Sequence, residues 1–74
     1  MNSIIHVLAE ARHYATEDLV IAKGLGVYED VTEAIDMLHL IGEAQATVWA
    51  DDWNDETFEA VLTAIRFVHD HRAI

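Results

Sequence analysis

Apolar residues recur at helical spacing in three successive segments of this chain, and nowhere do they alternate as along a half-buried strand. In the first segment Ile4, Leu8, Ala11, Ala15, Leu19 and Ala22 fall on one stripe. In the second, Val31, Ala34, Ile35, Leu38, Ile41, Gln45, Val48 and Trp49 share one side, and in the third Phe58, Val61, Leu62, Ile65 and Val68 do so. Three amphipathic helices with short connections predict an all-α, compact three-helix bundle, with helices over 3–23, 31–50 and 54–71 and up-down-up topology.

The punctuation agrees with that division. Ser3 is a candidate N-cap for the first helix. Lys23 followed by Gly24-Leu25-Gly26 is a C-terminal signal, because a cation and then glycine suit the last carbonyls of a helix. Thr16-Glu17-Asp18 also reads as a helix start, which allows a kink there. Asp30 with Glu33 three residues later is a variant of the capping box. Gly42, beside the second stripe, predicts close approach of another helix. Asp52 or Asn54 caps the third helix. Asp55, Glu56 and Glu59 suit its positive end, and His69, His71 and Arg72 its negative end.

With 74 residues, the chain is expected to form a single domain over 1–74. An apolar content of 53% argues against disorder. There is no cysteine, hence no disulfide and no thiolate zinc site, which fits a cytoplasmic location. Met1-Asn2-Ser3-Ile4-Ile5-His6 has no basic leader region, so no secretory signal is expected. The longest apolar run, Leu19 to Ala22, falls far short of the roughly 20 residues that span a bilayer.

Charge is the most informative feature. The chain carries 14 acidic and 4 basic residues, a formal net charge of −10. Between Gly24 and Ile65 there is no Lys or Arg, while Glu29, Asp30, Glu33, Asp36, Glu43, Asp51, Asp52, Asp55, Glu56 and Glu59 all lie there. Ordinary helix surfaces mix signs, because each Glu–Lys pair adds a few tenths of a kcal/mol. Here Glu29, Glu33, Asp36 and Glu43 fall in one sector of the second helix, and Glu56, Glu59 and Asp70 in one sector of the third, with Arg66 among them. Carboxylates about 5–6 Å apart on a helix approach the roughly 7 Å spacing of phosphates along a nucleic-acid strand. Such a surface repels nucleic acid and anionic membranes and attracts basic protein surfaces. Trp49-Ala50-Asp51-Asp52-Trp53-Asn54-Asp55-Glu56 joins the two acidic helices, and tryptophan is both a frequent interface anchor and a stacking partner for arginine. Trp49 is expected in the core and Trp53 at the interface.

The chain therefore reads as a non-enzymatic acidic binding protein that occupies a basic, nucleic-acid-binding surface of a partner protein and inhibits it. The candidate contact residues are Glu29, Asp30, Glu33, Asp36, Asp51, Asp52, Trp53, Asp55, Glu56 and Glu59. No direct nucleic-acid or membrane partner is expected, and a homodimer is compatible. In size and charge pattern the chain resembles the small acidic proteins of phages and mobile elements, the anti-CRISPR type among them. Those proteins inhibit host defence or nucleic-acid enzymes, some by imitating nucleic acid. The resemblance implies an inhibitory role and carries over no residue roles.

Two alternatives follow from other residues. Tyr14, Val20, Ile21, Leu40 and Phe67 fall off the core stripes, and such spare apolar residues suit a homo-oligomeric assembly protein. His6, Glu10, His13 and Glu17 share one helical face with ligand chemistry, but a metal would need a second carboxylate-bearing helix or a dimer. An exposed polar face is the expectation there, and no cofactor is expected. His69 and His71 point in different directions and read as dipole complements or a frayed tail. His39 reads as a boundary residue. A calcium loop from Asp52 fails, because Thr57 replaces the required glycine and Thr63 the bidentate glutamate. With no activated nucleophile and no glycine-rich phosphate loop, no enzyme activity is expected.

Overall fold

Three helices account for most of the chain: α1 (Asn2–Leu25), α2 (Tyr28–Trp49) and α3 (Asp55–Arg72). In the computed structural model, which describes residues 2–73, each helix contacts the other two, and no strand occurs among the described residues. The three-helix bundle expected from the periodicity is the architecture. It is flat and elongated, 38 × 22 × 15 Å.

The helix ends differ from the sequence reading in instructive ways. Ser3 does not precede α1, which already includes Asn2; the side chain of Ser3 lies outside the described residues. α1 runs unbroken past Thr16, whose hydroxyl donates to the Arg12 carbonyl at 2.8 Å and so is satisfied within the helix. Gly24 does not end the helix. Gly26 does, at φ 72°, with its N–H donating to the Lys23 carbonyl and the Val27 N–H to that of Ala22. These two bonds are a Schellman motif, which satisfies carbonyls left over at the helix end.

The link to α2 is therefore only Gly26 and Val27. Val27 occupies the N-cap position in extended conformation with no side-chain hydrogen bond, and the Val31 N–H already donates to its carbonyl. Asp30 is thus inside the first turn of α2 and caps nothing, contrary to expectation. With Glu29 it instead complements the positive end of the helix dipole.

α2 ends with the same motif. Asp51, at φ 56°, donates to Val48, and Asp52 donates to Thr47. Aspartate is among the few residues that tolerate this left-handed position. Asn54, one of the two expected caps, starts α3, and its Oδ1 accepts from the Thr57 N–H at 2.9 Å and the Thr57 hydroxyl at 3.1 Å.

The core is built mostly from small residues. Its buried hydrophobic members are Leu8, Ala11, Ala15, Ala22, Ala34, Ile41, Ala44, Val61, Ala64 and Val68. Six of these ten are alanine, so the helices approach closely, since interaxial distance follows side-chain size at the contact. Little volume is left for bulk. Phe58, Leu62 and Ile65, expected on the core face of α3, are 56, 51 and 41% exposed. α3 buries Val61 and Val68 as expected, but with Thr57 and Ala64, a line of equally regular spacing on a neighbouring side. Trp49 and Ile35 of the expected α2 stripe are likewise exposed. Conversely Tyr14, Leu40 and Phe67, expected to be spare, pack against the core, while Val20 and Ile21 are exposed as expected. Gly42 has no close neighbour, and a Cβ built on it meets nothing within 4 Å.

Three substitutions test this packing by urea unfolding followed by far-UV circular dichroism. Ile41→Ala, at a fully buried site, should cost about 2–5 kcal/mol. Gly26→Ala should cost about 1–2 kcal/mol, for forcing alanine into the left-handed region. Gly42→Ala should stabilise by about 0.5–1 kcal/mol, because it improves helix propensity and meets no neighbour; a less stable Gly42→Ala variant would contradict the open surface described at that position.

Candidate functional site

The acidic block begins where α2 begins and ends in the second turn of α3. Glu29, Asp30, Glu33 and Asp36 on α2, Asp51 and Asp52 in the turn, and Asp55, Glu56 and Glu59 on α3 are all exposed. Among the described residues none of them takes part in an ion pair. The contacts that do form use three other acids, all on α1: Glu10 pairs with Arg72, and Glu17 and Asp18 lie against His13 and His71, which make ion pairs with them when protonated. The local cause is plain in α2, which has two acids in its first turn and no basic residue in its last.

Two grooves open onto this block. The larger, about 390 Å³, lies at the end of the bundle where α1 turns into α2. Ile21, Leu25, Met37 and Phe67 supply apolar lining, and Asp18, Asp30 and Glu33 line it as carboxylates. The smaller, about 70 Å³, lies between α2 and α3 at the other end and is lined by Glu43 and Glu56 with Thr47, Asn54 and Thr57. Glu43 of α2 and Glu56 of α3 thus meet across the smaller groove in one short acidic seam, although Glu43 was not among the expected contacts. Glu29, Asp36, Asp51, Asp52, Asp55 and Glu59 line neither groove.

The two tryptophans exchange their expected places. Trp53 is half-buried, packs against the core and lies with its ring 5.1 Å from that of Phe58. Trp49 is 74% exposed. The left-handed turn at Asp51 folds the chain back and brings Trp53 to the base of the bundle, leaving Trp49 outside on the last turn of α2.

Three of the four residues in the polar stripe of α1, Glu10, His13 and Glu17, are taken up by pairing. Arg72 grips Glu10 with two hydrogen bonds: Nε donates to Oε2 at 2.7 Å, and a terminal nitrogen donates to Oε1. His13 lies 2.9 Å from Glu17 one turn on. No group of three His, Asp or Glu side chains converges as a metal set among the described residues. His71 is neither a bare dipole complement nor frayed. Its Nδ1 donates to the Phe67 carbonyl at 3.0 Å, and its Nε2 lies 2.9 Å from Asp18 Oδ2. The ring stacks on Tyr14 at 5.0 Å and tilts against Phe67 at 4.3 Å. Arg72 and His71 together fasten the end of α3 to the middle of α1. Sequence reading missed this clamp because Asp18 and His71 are 53 residues apart; the only local sign was the four-residue spacing of Phe67 and His71.

No protein-family model, curated protein or solved structure matches this chain. Among the described residues no helix is long and apolar enough to cross a membrane.

The bonds from Arg72 hold the Glu10 carboxyl below its ordinary value of 4.5, against a smaller opposing effect of burial, and Glu10 in turn raises Arg72. A carboxyl lowered on folding stabilises the native state above its unfolded pKa, and the stabilisation is lost as pH falls through the folded value. The stability difference between the parent and Glu10→Gln should therefore be constant near neutrality and shrink as pH falls below about 4.5, as read by urea midpoints at stepped pH. A difference that grows in acid would contradict the clamp.

Proposed function

We propose that this chain is a non-enzymatic binding protein that seats its acidic α2–α3 side on a basic, nucleic-acid-binding surface of a partner protein and inhibits that partner by excluding the nucleic acid. One observation carries the reading. Every acid singled out between Glu29 and Glu59 is exposed and, among the described residues, outside any ion pair, while the acids of α1 have basic neighbours. Surface carboxylates held together without cations repel one another, and that repulsion is relieved when Lys and Arg of a partner approach. The same field speeds encounter with a positive surface and repels phosphate backbones and anionic lipid.

The larger groove adds a means of anchoring. An arginine or lysine stem fits against Ile21, Leu25 and Phe67, while its charged head reaches Asp30 or Glu33. Trp49 offers an exposed indole for stacking on arginine, a role the sequence had suggested for Trp53. This is the mode of action of the phage and mobile-element inhibitors that the charge pattern resembles, and it implies a cytoplasmic site of action.

The test is capture of partners from the source cell at low salt, followed by titration of the captured protein with two forms of the chain. Exposed charge pairs contribute about 0.2–1 kcal/mol each, and reversing a charge also sets a repulsion of similar size in place of each attraction, so the combined Glu33→Lys, Asp36→Lys, Asp52→Lys and Glu56→Lys substitution should weaken binding at least about tenfold. Glu17→Lys, on α1, should leave it unchanged. Equal affinity of the fourfold variant and the parent would end the proposal.

A further inference from the structure

α3 carries two lines of residues with the spacing of a helix-packing seam, and the bundle uses one. Thr57, Val61, Ala64 and Val68 face the core. Asp55, Phe58, Leu62, Ile65 and His69 form the second, with alternating steps of three and four residues, the spacing of a coiled-coil seam. Its three central members are large, apolar and roughly half exposed. Contiguous exposed apolar residues bounded by charge mark association surfaces more often than chance.

We propose that this second seam of α3 pairs, antiparallel, with the same seam of a second copy of this chain. The distribution of charge along α3 selects that occupant. Asp55, Glu56 and Glu59 lie at its start and Arg66, His69 and Arg72 towards its end, where Asp70 is the one acid and Arg72 is already committed to Glu10. A two-fold axis through Leu62 lies midway between Asp55 and His69 and, to within a residue, midway between Glu59 and Arg66. It therefore sets Asp55 against His69 and Glu59 against Arg66 of the other copy, twice over, and stacks Phe58 and Ile65 about the paired Leu62 residues. A surface that complements itself about such an axis is what an isologous dimer requires. A parallel pairing would put Asp55 on Asp55 and His69 on His69. A basic partner protein does not fit this line, which has an apolar centre and Arg66 and His69 at one end.

The dimer leaves the acidic seam open, because Glu43 and Glu56 line the groove between α2 and α3 on the other flank of α3. It reassigns Asp55 and Glu59 from the partner surface to the contact between copies. The proposal does not rest on the inhibitory reading, from which it removes these two contacts.

Sedimentation velocity on the full chain, across a concentration series, tests it. The parent should reach twice the chain mass. Leu62→Glu should lower the association constant by at least about a hundredfold, because each dimer would bury two facing carboxylates. Its circular dichroism should stay unchanged, since Leu62 is outside the core. Arg66→Glu should weaken the dimer, and adding Glu59→Arg to it should restore the parent value. A parent that stays monomeric at high micromolar concentration overturns the proposal, as does a dimer that survives Leu62→Glu. Failure of the Glu59–Arg66 exchange to restore association overturns the antiparallel register.

Discussion

Close packing of helices on alanine governs this structure. With alanine at six of the ten buried hydrophobic positions, and Leu8 and Ile41 the largest side chains fully enclosed, the bundle is a thin body only 15 Å deep. A small domain already buries a limited share of its apolar surface, and here the short side chains that let the helices meet also keep bulkier ones out. Phe58, Leu62, Ile65, Ile21, Leu25 and Trp49 stay at the surface for want of room inside. The apolar groove at the α1–α2 turn and the unoccupied seam of α3 are both consequences of that choice.

A core this thin leaves more to its edges. α3 is fastened to α1 by Arg72 on Glu10 and by His71 between Asp18, Tyr14 and Phe67. These contacts draw on a short supply of cations: one of only four Lys and Arg residues is used to hold the fold, and none lies between Gly24 and Ile65. The helices thus divide the work. α1 and the end of α3 carry the internal pairs, and α2 with the start of α3 presents carboxylates outward. A protein under selection for stability alone would spread its cations among those carboxylates.

Much of this was legible in the sequence. The three helices, the Asn54 cap, the buried stripe of Leu8, Ala11, Ala15 and Ala22, and the acidic block all follow from spacing and composition. The face of α3 was legible only in part: Val61 and Val68 are buried as expected, but the lines through Thr57 and through Phe58 have the same period, and residue size wrongly drew Phe58, Leu62 and Ile65 inward. Periodicity shows that a seam exists and is silent on which seam is filled when the core prefers alanine. The start of α2 was misplaced because Asp30 and Glu33 look like a cap, while the Gly26–Val27 link is short enough to begin the helix before them. Trp49 and Trp53 changed places through a left-handed Asp51, which has no distinctive local signature. The His71 clamp depends on a contact across 53 residues, beyond the reach of any local pattern.

The central claim is that the carboxylates from Glu29 to Glu59 repel one another without internal relief. It is most directly tested on the chain alone, by urea unfolding at fixed protein concentration as sodium chloride rises from about 10 to about 150 mM, which shortens the screening length from roughly 30 to 8 Å. If the block is uncompensated, screening relieves the repulsion and the unfolding midpoint rises steadily with salt. A midpoint that stays level or falls over that range would mean that the charges are balanced within the fold, and the account given for the acidic side would be wrong.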